Sequence, residues 1–176
     1  GTYWHVDRWQ RAAIPLSLLV FAFTAISFAL LTRCFLQDDF SVAYVARNSN
    51  TQLPDYYKIS AVWGAHEGSL LLWSLILTLW IVAVALFARR WPQTLHVRTL
   101  SVLGMIATGF FAFMLFTSNP FARELPFPPA EGADLNPLLQ DIGLIVHPPM
   151  LYCGYVGFAV PFAIAIAMLL AGRLDD

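Results

Sequence analysis

Four long stretches of the chain contain no charged residue, and this feature constrains the fold more than any other. A helix needs about 20 apolar residues to cross a hydrocarbon core of about 30 Å. None of the stretches alternates apolar and polar residues as the strands of a membrane barrel do. The uncharged stretches are 13–32, 70–88, 100–117 and 149–171. The sequence therefore predicts an all-α polytopic membrane protein, a transmembrane helix bundle with ordered outer loops and spans at about 13–35, 68–89, 99–117 and 149–171.

Composition agrees with this fold class. Charged residues make up 12% of the chain, about half of what an ordinary soluble domain carries. We expect lipid to cover much of the surface, and we treat residues 1–176 as part of one polytopic membrane domain. The chain has no initiating Met and ends just after its fourth uncharged stretch, so we expect an excerpt of a larger membrane protein.

The basic residues predict how the helices are oriented. Lys and Arg near helix ends favour the cytoplasmic side of a membrane. One side of the predicted spans has Arg8, Arg11, Arg89, Arg90, Arg98 and Arg173, and the other has Arg47, Lys58 and Arg123, with Arg33 at the edge of the first span. We therefore expect the N-terminus, loop 89–99 and the C-terminus in the cytoplasm, and loops 36–67 and 118–148 outside. Acidic residues in those outer loops argue against nucleic acid as a partner.

The first outer loop predicts a short helix near the membrane surface. Turn residues 48–50 and Pro54 precede Asp55, which is a candidate helix cap. The next side chains at three- and four-residue spacing are Tyr56, Ile59, Trp63 and His66. This spacing is typical of one face of an amphipathic helix that leads into the second span.

Two histidines outside the fourth span are weaker candidates for a functional role. His66 lies beside Glu67 and between Gly64 and Gly68, either as part of a polar cluster at the start of a helix or as part of a metal or proton site. Adjacent residues of a helix point in different directions, so His66 and Glu67 would not chelate one ion together. His96, in the predicted inner loop, is expected to be solvated or at the level of the lipid headgroups.

His147 is the strongest candidate for a functional residue. Pro148 disfavours helical backbone at the residue before it, so we expect the fourth span to begin at Pro148 or Pro149, with His147 just outside. A neutral imidazole in that place could bind a metal, or it could satisfy backbone groups at the helix start. The second outer loop, 118–148, is rich in proline and should be stiff and extended.

The aromatic residues after His147 allow two interpretations. Tyr152, Tyr155 and Phe158 lie three apart, which would suit a flat, apolar, metal-bearing ligand such as haem, or an ordinary aromatic belt at the membrane interface. Pro161 should kink this span. The two cysteines, Cys34 and Cys153, show no CxxC spacing, so neither indicates a thiol-redox centre or a haem attachment site.

Several long segments carry a resemblance to a known family: DDFSVAYVARNSNTQLP, WGAHEGSLLLW, FTSNPF, DLNPLLQDIGLIVHPPMLYCGYVGF and AGRLD. They resemble the CcmF/NrfE family, the large membrane subunits of the bacterial haem lyase in cytochrome c maturation. The resemblance implies a protein that takes haem from a periplasmic haem chaperone at the outer face of the inner membrane. It would attach the haem to apocytochrome c together with other haem lyase subunits.

The resemblance also implies roles for individual residues. His147, in the family's His-Pro-Pro motif, would be one of two outward-facing axial ligands of the haem iron. The second histidine, a Trp-rich haem-docking segment and the ligands of a structural haem b would lie in parts absent from this sequence. Position 153 would hold Met where this chain has Cys153. The family assigns no settled role to His66, which stays a second candidate for cofactor binding.

Two other functions remain open on sequence alone. A membrane transporter is disfavoured because charged residues inside the spans usually mark a transport pathway, and the four stretches have no charge. A purely structural assembly subunit would bind no haem. The sequence does not distinguish a general maturation lyase from a paralogue dedicated to one cytochrome.

Overall fold

The computed structural model describes residues 7–172, with the side chains of 7–10, 89 and 144 excepted. This part of the chain is helical, without named strands. The helices are α1 (Asp7–Leu36), α2 (Ala43–Asn48), α3 (Asp55–Ala61), α4 (His66–Phe87), α5 (Gln93–Thr117), α6 (Ile142–Gly157) and α7 (Ala159–Ala171). Single 3₁₀ turns lie at Ala88–Arg90 and Pro137–Leu139.

Four helical segments in residues 7–172 are long and apolar enough to cross a membrane. They are Arg11–Leu36, His66–Phe87, Gln93–Thr117 and, with α6 and α7 taken together, Ile145–Ala171. The predicted fold class, an all-α polytopic helix bundle, is confirmed. Helices suit these sequences because they satisfy their own backbone hydrogen bonds, which lipid cannot do.

The helix α4 lies at the centre of the bundle and packs against α1, α5 and α6. Its apolar side chains interdigitate with those of α5 and α7, where Leu77, Leu103 and Ala163 are almost completely buried. Hydroxyl groups in the spans bond to carbonyls one turn back, as Ser17 does to Ala13 at 2.8 Å. Such bonds let polar side chains remain inside an apolar environment without an unpaired donor.

The fourth span differs from its prediction at both ends. It begins at Ile142, so His147 and both following prolines lie inside α6 and not before it. The expectation of a helix start at Pro148 or Pro149 is wrong. The helix then ends at Gly157, and α7 begins two residues later with Pro161 in its first turn. Pro161 has no N–H to donate to the Gly157 carbonyl, which explains the break where we expected a kink.

His96 is buried, and the expectation that it is solvated is wrong. Only 7% of the residue is exposed, and Nε2 lies 3.1 Å from the carbonyl oxygen of Val84. The helix α5 begins at Gln93, so position 96 lies on a helix that packs against α4.

The first connecting loop also differs from its prediction. Pro54, and not Asp55, occupies the cap position of α3 and makes no side-chain cap bond. Tyr56 and Ile59 are exposed on α3, but that helix ends at Ala61. The amphipathic face does not continue to His66, because a turn separates α3 from α4.

The two long connections pack on each other at one end of the bundle. We name residues 37–65 and 118–141 together the loop cap. Backbone bonds join its halves: the Ala43 nitrogen donates to the Ala122 carbonyl at 2.9 Å, and the Ala133 nitrogen to the Ala46 carbonyl at 2.7 Å. The loop cap is therefore one folded unit that holds the helix ends beneath it.

Ion pairs reinforce the same junction. Arg47 contacts Glu124 at 3.1 Å, and Arg123 contacts Asp39 at 3.0 Å, each pair joining one half of the loop cap to the other. A hydrogen bond from Ser41, with the neighbouring Arg123 guanidinium, lowers the pKa of Asp39. The carboxylate is thereby favoured in its charged, paired form.

Candidate functional site

His147 presents an exposed imidazole in the second turn of α6. Within residues 7–172 the ring makes no hydrogen bond, ion pair or aromatic contact. Both ring nitrogens are therefore free to meet a group from outside this part of the chain. A neutral imidazole in that state is a good metal ligand.

The backbone just before His147 is held by α3 and by the segment that joins α3 to α4. The indole nitrogen Nε1 of Trp63 lies 3.2 Å from the carbonyl oxygen of Ile145. The Tyr57 hydroxyl donates to the Gln140 carbonyl at 2.8 Å. A Cβ at Gly64 would lie 3.0 Å from the side chain of Leu139, so the two segments are in close contact. These contacts fix where α6 begins.

The surface around His147 is apolar. Met150, Leu151 and Tyr155 lie within about one third of a turn of His147 around the helix axis, and all three are exposed, as is Phe158 just after the end of α6. Tyr152, which the sequence placed with them, is half-buried and packs against Trp73 with ring centroids 5.2 Å apart. The exposed face therefore combines one imidazole with a strip of large apolar side chains.

This arrangement does not suit a bare metal ion. Among the described residues there is no group of three or more His, Cys, Asp or Glu side chains placed to hold one. A porphyrin brings four ligands of its own and needs only axial ligands from protein. A lone imidazole on an apolar face fits that requirement.

His66 has a different environment. It begins α4, and Nε2 lies 3.0 Å from the Ser118 hydroxyl. Its ring meets Phe113 edge-on, with centroids 6.3 Å apart. These contacts join the start of α4 to the end of α5, and no hydrogen bond links His66 to His147. The contacts of His66 are to α5, and His147 takes no part in them.

Tyr44 is a structural residue that sequence reasoning missed. Its hydroxyl is buried, donates to the Val62 carbonyl at 3.1 Å and accepts from the Ala65 nitrogen at 3.1 Å. Burial raises the pKa of this phenol well above its usual value. Gly68 lies against it, because a Cβ there would be 2.6 Å from the Tyr44 hydroxyl oxygen. The sequence shows only that Gly68 flanks His66, and no local pattern in it indicates the contact with Tyr44.

Comparison with known proteins identifies the family. Residues 63–174 match the family described as "Cytochrome C assembly protein". The chain belongs to the cytochrome c assembly protein family. The predicted resemblance to CcmF and NrfE proteins is confirmed, since relatives of both names match this chain over more than nine tenths of the chain's length.

Three relatives show how close the similarity is. The family member is 64% identical to the cytochrome c-type biogenesis protein CcmF of Pseudomonas aeruginosa, over 98% of the chain and 26% of that protein. It is 59% identical to CcmF of Escherichia coli, over 90% of the chain and 24% of that protein. It is 53% identical to NrfE of Haemophilus influenzae, over 91% of the chain and 25% of that protein.

A solved structure has the same fold. It is titled "Cytochrome c Heme Lyase CcmF", with a TM-score of 0.82 and 31% identity over 96% of this chain and 26% of that one. The chain thus spans about a quarter of the length of the relatives it matches. This member of the cytochrome c assembly family is a multi-pass membrane protein.

Proposed function

We propose that this chain is part of the membrane subunit of a cytochrome c haem lyase. The subunit would handle haem and attach it to apocytochrome c at the outer face of the inner membrane. The observation that carries the proposal is the exposed imidazole of His147 on an apolar helix face, to which no residue of 7–172 hydrogen-bonds. The titles of the similar proteins, cytochrome c-type biogenesis and haem lyase, support it.

In this proposal His147 is an axial ligand of the haem iron. Haem is the substrate here, and axial ligation is a means by which proteins control the iron. Attachment needs the two haem vinyl groups held beside two cytochrome thiols, so the protein supplies positioning more than chemistry. His147 would leave the iron when the histidine of the cytochrome's own CxxCH motif takes its place.

The orientation follows the basic residues. Arg11, Arg90 and Arg98 lie at the end of the bundle away from the loop cap. Arg173, which belongs to the same set, lies outside the described residues. We place that end, with the N-terminus, the short connection between α4 and α5 (predicted as loop 89–99) and the C-terminus, in the cytoplasm, and the loop cap with His147 outside.

The remaining parts of the site belong to chain beyond this segment. We expect a second outward-facing histidine and the ligands of a structural haem b there. The partners would be the lipid bilayer, other haem lyase subunits, a periplasmic haem chaperone and apocytochrome c. His66 stays a candidate for cofactor binding that the same experiments address.

The test is His147→Ala in the full-length protein. We expect loss of holocytochrome yield and of the share of the haem absorption that depends on His147, while the absorption of the structural haem b remains. Free imidazole in the buffer should restore the lost share, because the substitution leaves space for a small ligand at the iron. His66→Ala is the companion variant, and an unchanged spectrum would assign that histidine to packing at the start of α4.

A wild-type spectrum and wild-type yield in His147→Ala would refute the proposal. That outcome would favour a structural assembly subunit, which needs no haem contact at this position.

A further inference from the structure

We propose that Trp63 is a positioning residue for His147. Its indole N–H replaces the backbone donor that Pro149 removes from α6, and so it fixes the turn that carries the imidazole. The inference rests on the proposed role of His147 in holding haem, and it adds a residue 84 positions earlier in the chain to the same site.

The argument begins with the backbone of α6. In an α-helix each N–H donates to the carbonyl four residues before it. Pro149 has no N–H, so the Ile145 carbonyl loses its donor within the helix. The Trp63 Nε1 atom lies 3.2 Å from that same carbonyl oxygen. A side chain from another element therefore supplies the missing bond.

Trp63 is itself held in place. Its backbone nitrogen donates to the Ser60 carbonyl at 3.2 Å, and its own carbonyl accepts from the Ser69 hydroxyl at 2.8 Å. The half-buried ring packs against both hydrophobic clusters of the bundle, one under the loop cap and one between α4, α5 and α7. The indole is thus a fixed donor.

The consequence falls on His147, which lies between Ile145 and Pro149. Two consecutive prolines remove two backbone bonds from this turn, to the carbonyls of residues 144 and 145. A carbonyl without a donor in an apolar environment is unfavourable, so the turn would open to find another partner. The hydrogen bond from Trp63 satisfies the Ile145 carbonyl, so the turn stays closed and the imidazole stays on the exposed apolar face.

Trp80 offers a matched comparison, because its indole also bonds to a backbone carbonyl of α6. Its Nε1 lies 3.2 Å from the Cys153 carbonyl. The residue four positions later is Gly157, which keeps its N–H. Removing the Trp80 indole therefore leaves the Cys153 carbonyl with its backbone donor, the Gly157 N–H. The structure distinguishes an essential donor at Trp63 from a supplementary one at Trp80.

The experiment titrates haem into the full-length protein and records absorption spectra of four variants. We expect Trp63→Phe to weaken haem binding about tenfold, the equivalent of one lost hydrogen bond, and to broaden the bands of histidine-ligated haem. Trp80→Phe should bind haem like the parent. Pro149→Ala restores a backbone N–H, so adding Trp63→Phe to it should change binding by less than about twofold.

The double variant separates the hydrogen bond from packing. If Trp63→Phe acted only through lost ring volume, Pro149→Ala would not relieve the defect, and the inference would be overturned. Parent-like haem binding in Trp63→Phe would also overturn it. Failure of the proposed function looks different, because His147→Ala would then leave the haem spectrum unchanged whatever residue stands at 63.

Discussion

The hydroxyl oxygen of Tyr44 lies 3.1 Å from the backbone nitrogen of Ala65, the residue just before α4. The same hydroxyl donates to the Val62 carbonyl at 3.1 Å. One buried side chain of α2 thereby satisfies two backbone groups of the turn between α3 and α4. That turn carries Trp63 and leads directly to His66.

Tyr44→Phe should destabilise the loop cap. It leaves the Ala65 N–H and the Val62 carbonyl without their partner in a buried place, which costs about 1–3 kcal/mol. The measurement is the unfolding free energy in detergent. Tyr56→Phe is the control, because Tyr56 is 61% exposed, and its change should stay within about 0.5 kcal/mol. Equal stability of the two variants would contradict the assignment.

Gly68→Ala should strongly destabilise the start of α4. The added Cβ would lie 1.7 Å from the Val62 carbonyl and 2.6 Å from the Tyr44 hydroxyl, so backbone must move, at a cost of about 3 kcal/mol or more. Gly109→Ala is the matched change, since a Cβ there meets nothing within 4 Å. That variant should be neutral or stabilising by up to about 1 kcal/mol. Thermal melting in detergent compares the two.

Lys58 and Asp38 form a coupled pair that a double-mutant cycle can measure. The Lys58 ammonium lies 2.7 Å from both carboxylate oxygens, and its side chain is only 5% exposed. Asp38→Asn leaves that charge unpaired and should cost about 3–5 kcal/mol. Asn tolerates the φ of 52° at position 38, so the loss reports charge and not backbone strain.

Adding Lys58→Met should recover part of this stability, because the buried charge is then gone. The readout is the unfolding free energy of the two single variants and the double variant. Strictly additive losses would show that the pair is not coupled.

Stability of the loop cap should fall in acid. The pKa of Asp39 is lowered by Ser41 and Arg123, so its contribution is fully present above the unfolded value of about 3.9 and is lost as pH falls through the folded value. Melting temperatures measured from pH 6 to about pH 2 should show this decline below about pH 4. Asp39→Asn should flatten the curve, and an unchanged slope in that variant would reassign the effect to other carboxylates such as Glu131, whose pKa is lowered by hydrogen bonds from Thr51.

The spans could be predicted from sequence because lipid imposes a composition that few other environments do. Each uncharged stretch overlaps a membrane-length helix. The start of the fourth span could not be predicted, because the local preference before Pro148 is overridden by tertiary contacts. Its compensating donor, Trp63, lies 82 residues before its acceptor, and no local pattern reveals that pairing.

Sequence alone could identify the candidate residue, His147, but not its surroundings. The His-Pro-Pro segment directed attention to His147, and the structure adds that its ring is exposed and unpartnered among the described residues. The burial of His96 and the packing of Tyr152 were not visible in the sequence, because facing elements decide which side of a helix is covered. The pairing within the loop cap depends on backbone bonds, which carry no side-chain signature.

The shared backbone bonds of the loop cap also set an order of events during synthesis. Ala43 finds its acceptor at Ala122, a residue that emerges only after two further helices have been threaded through the bilayer. The backbone hydrogen bonds of the first loop therefore remain incomplete until the second loop has been synthesised. The loop cap is therefore completed only after α4 and α5 have been inserted into the membrane.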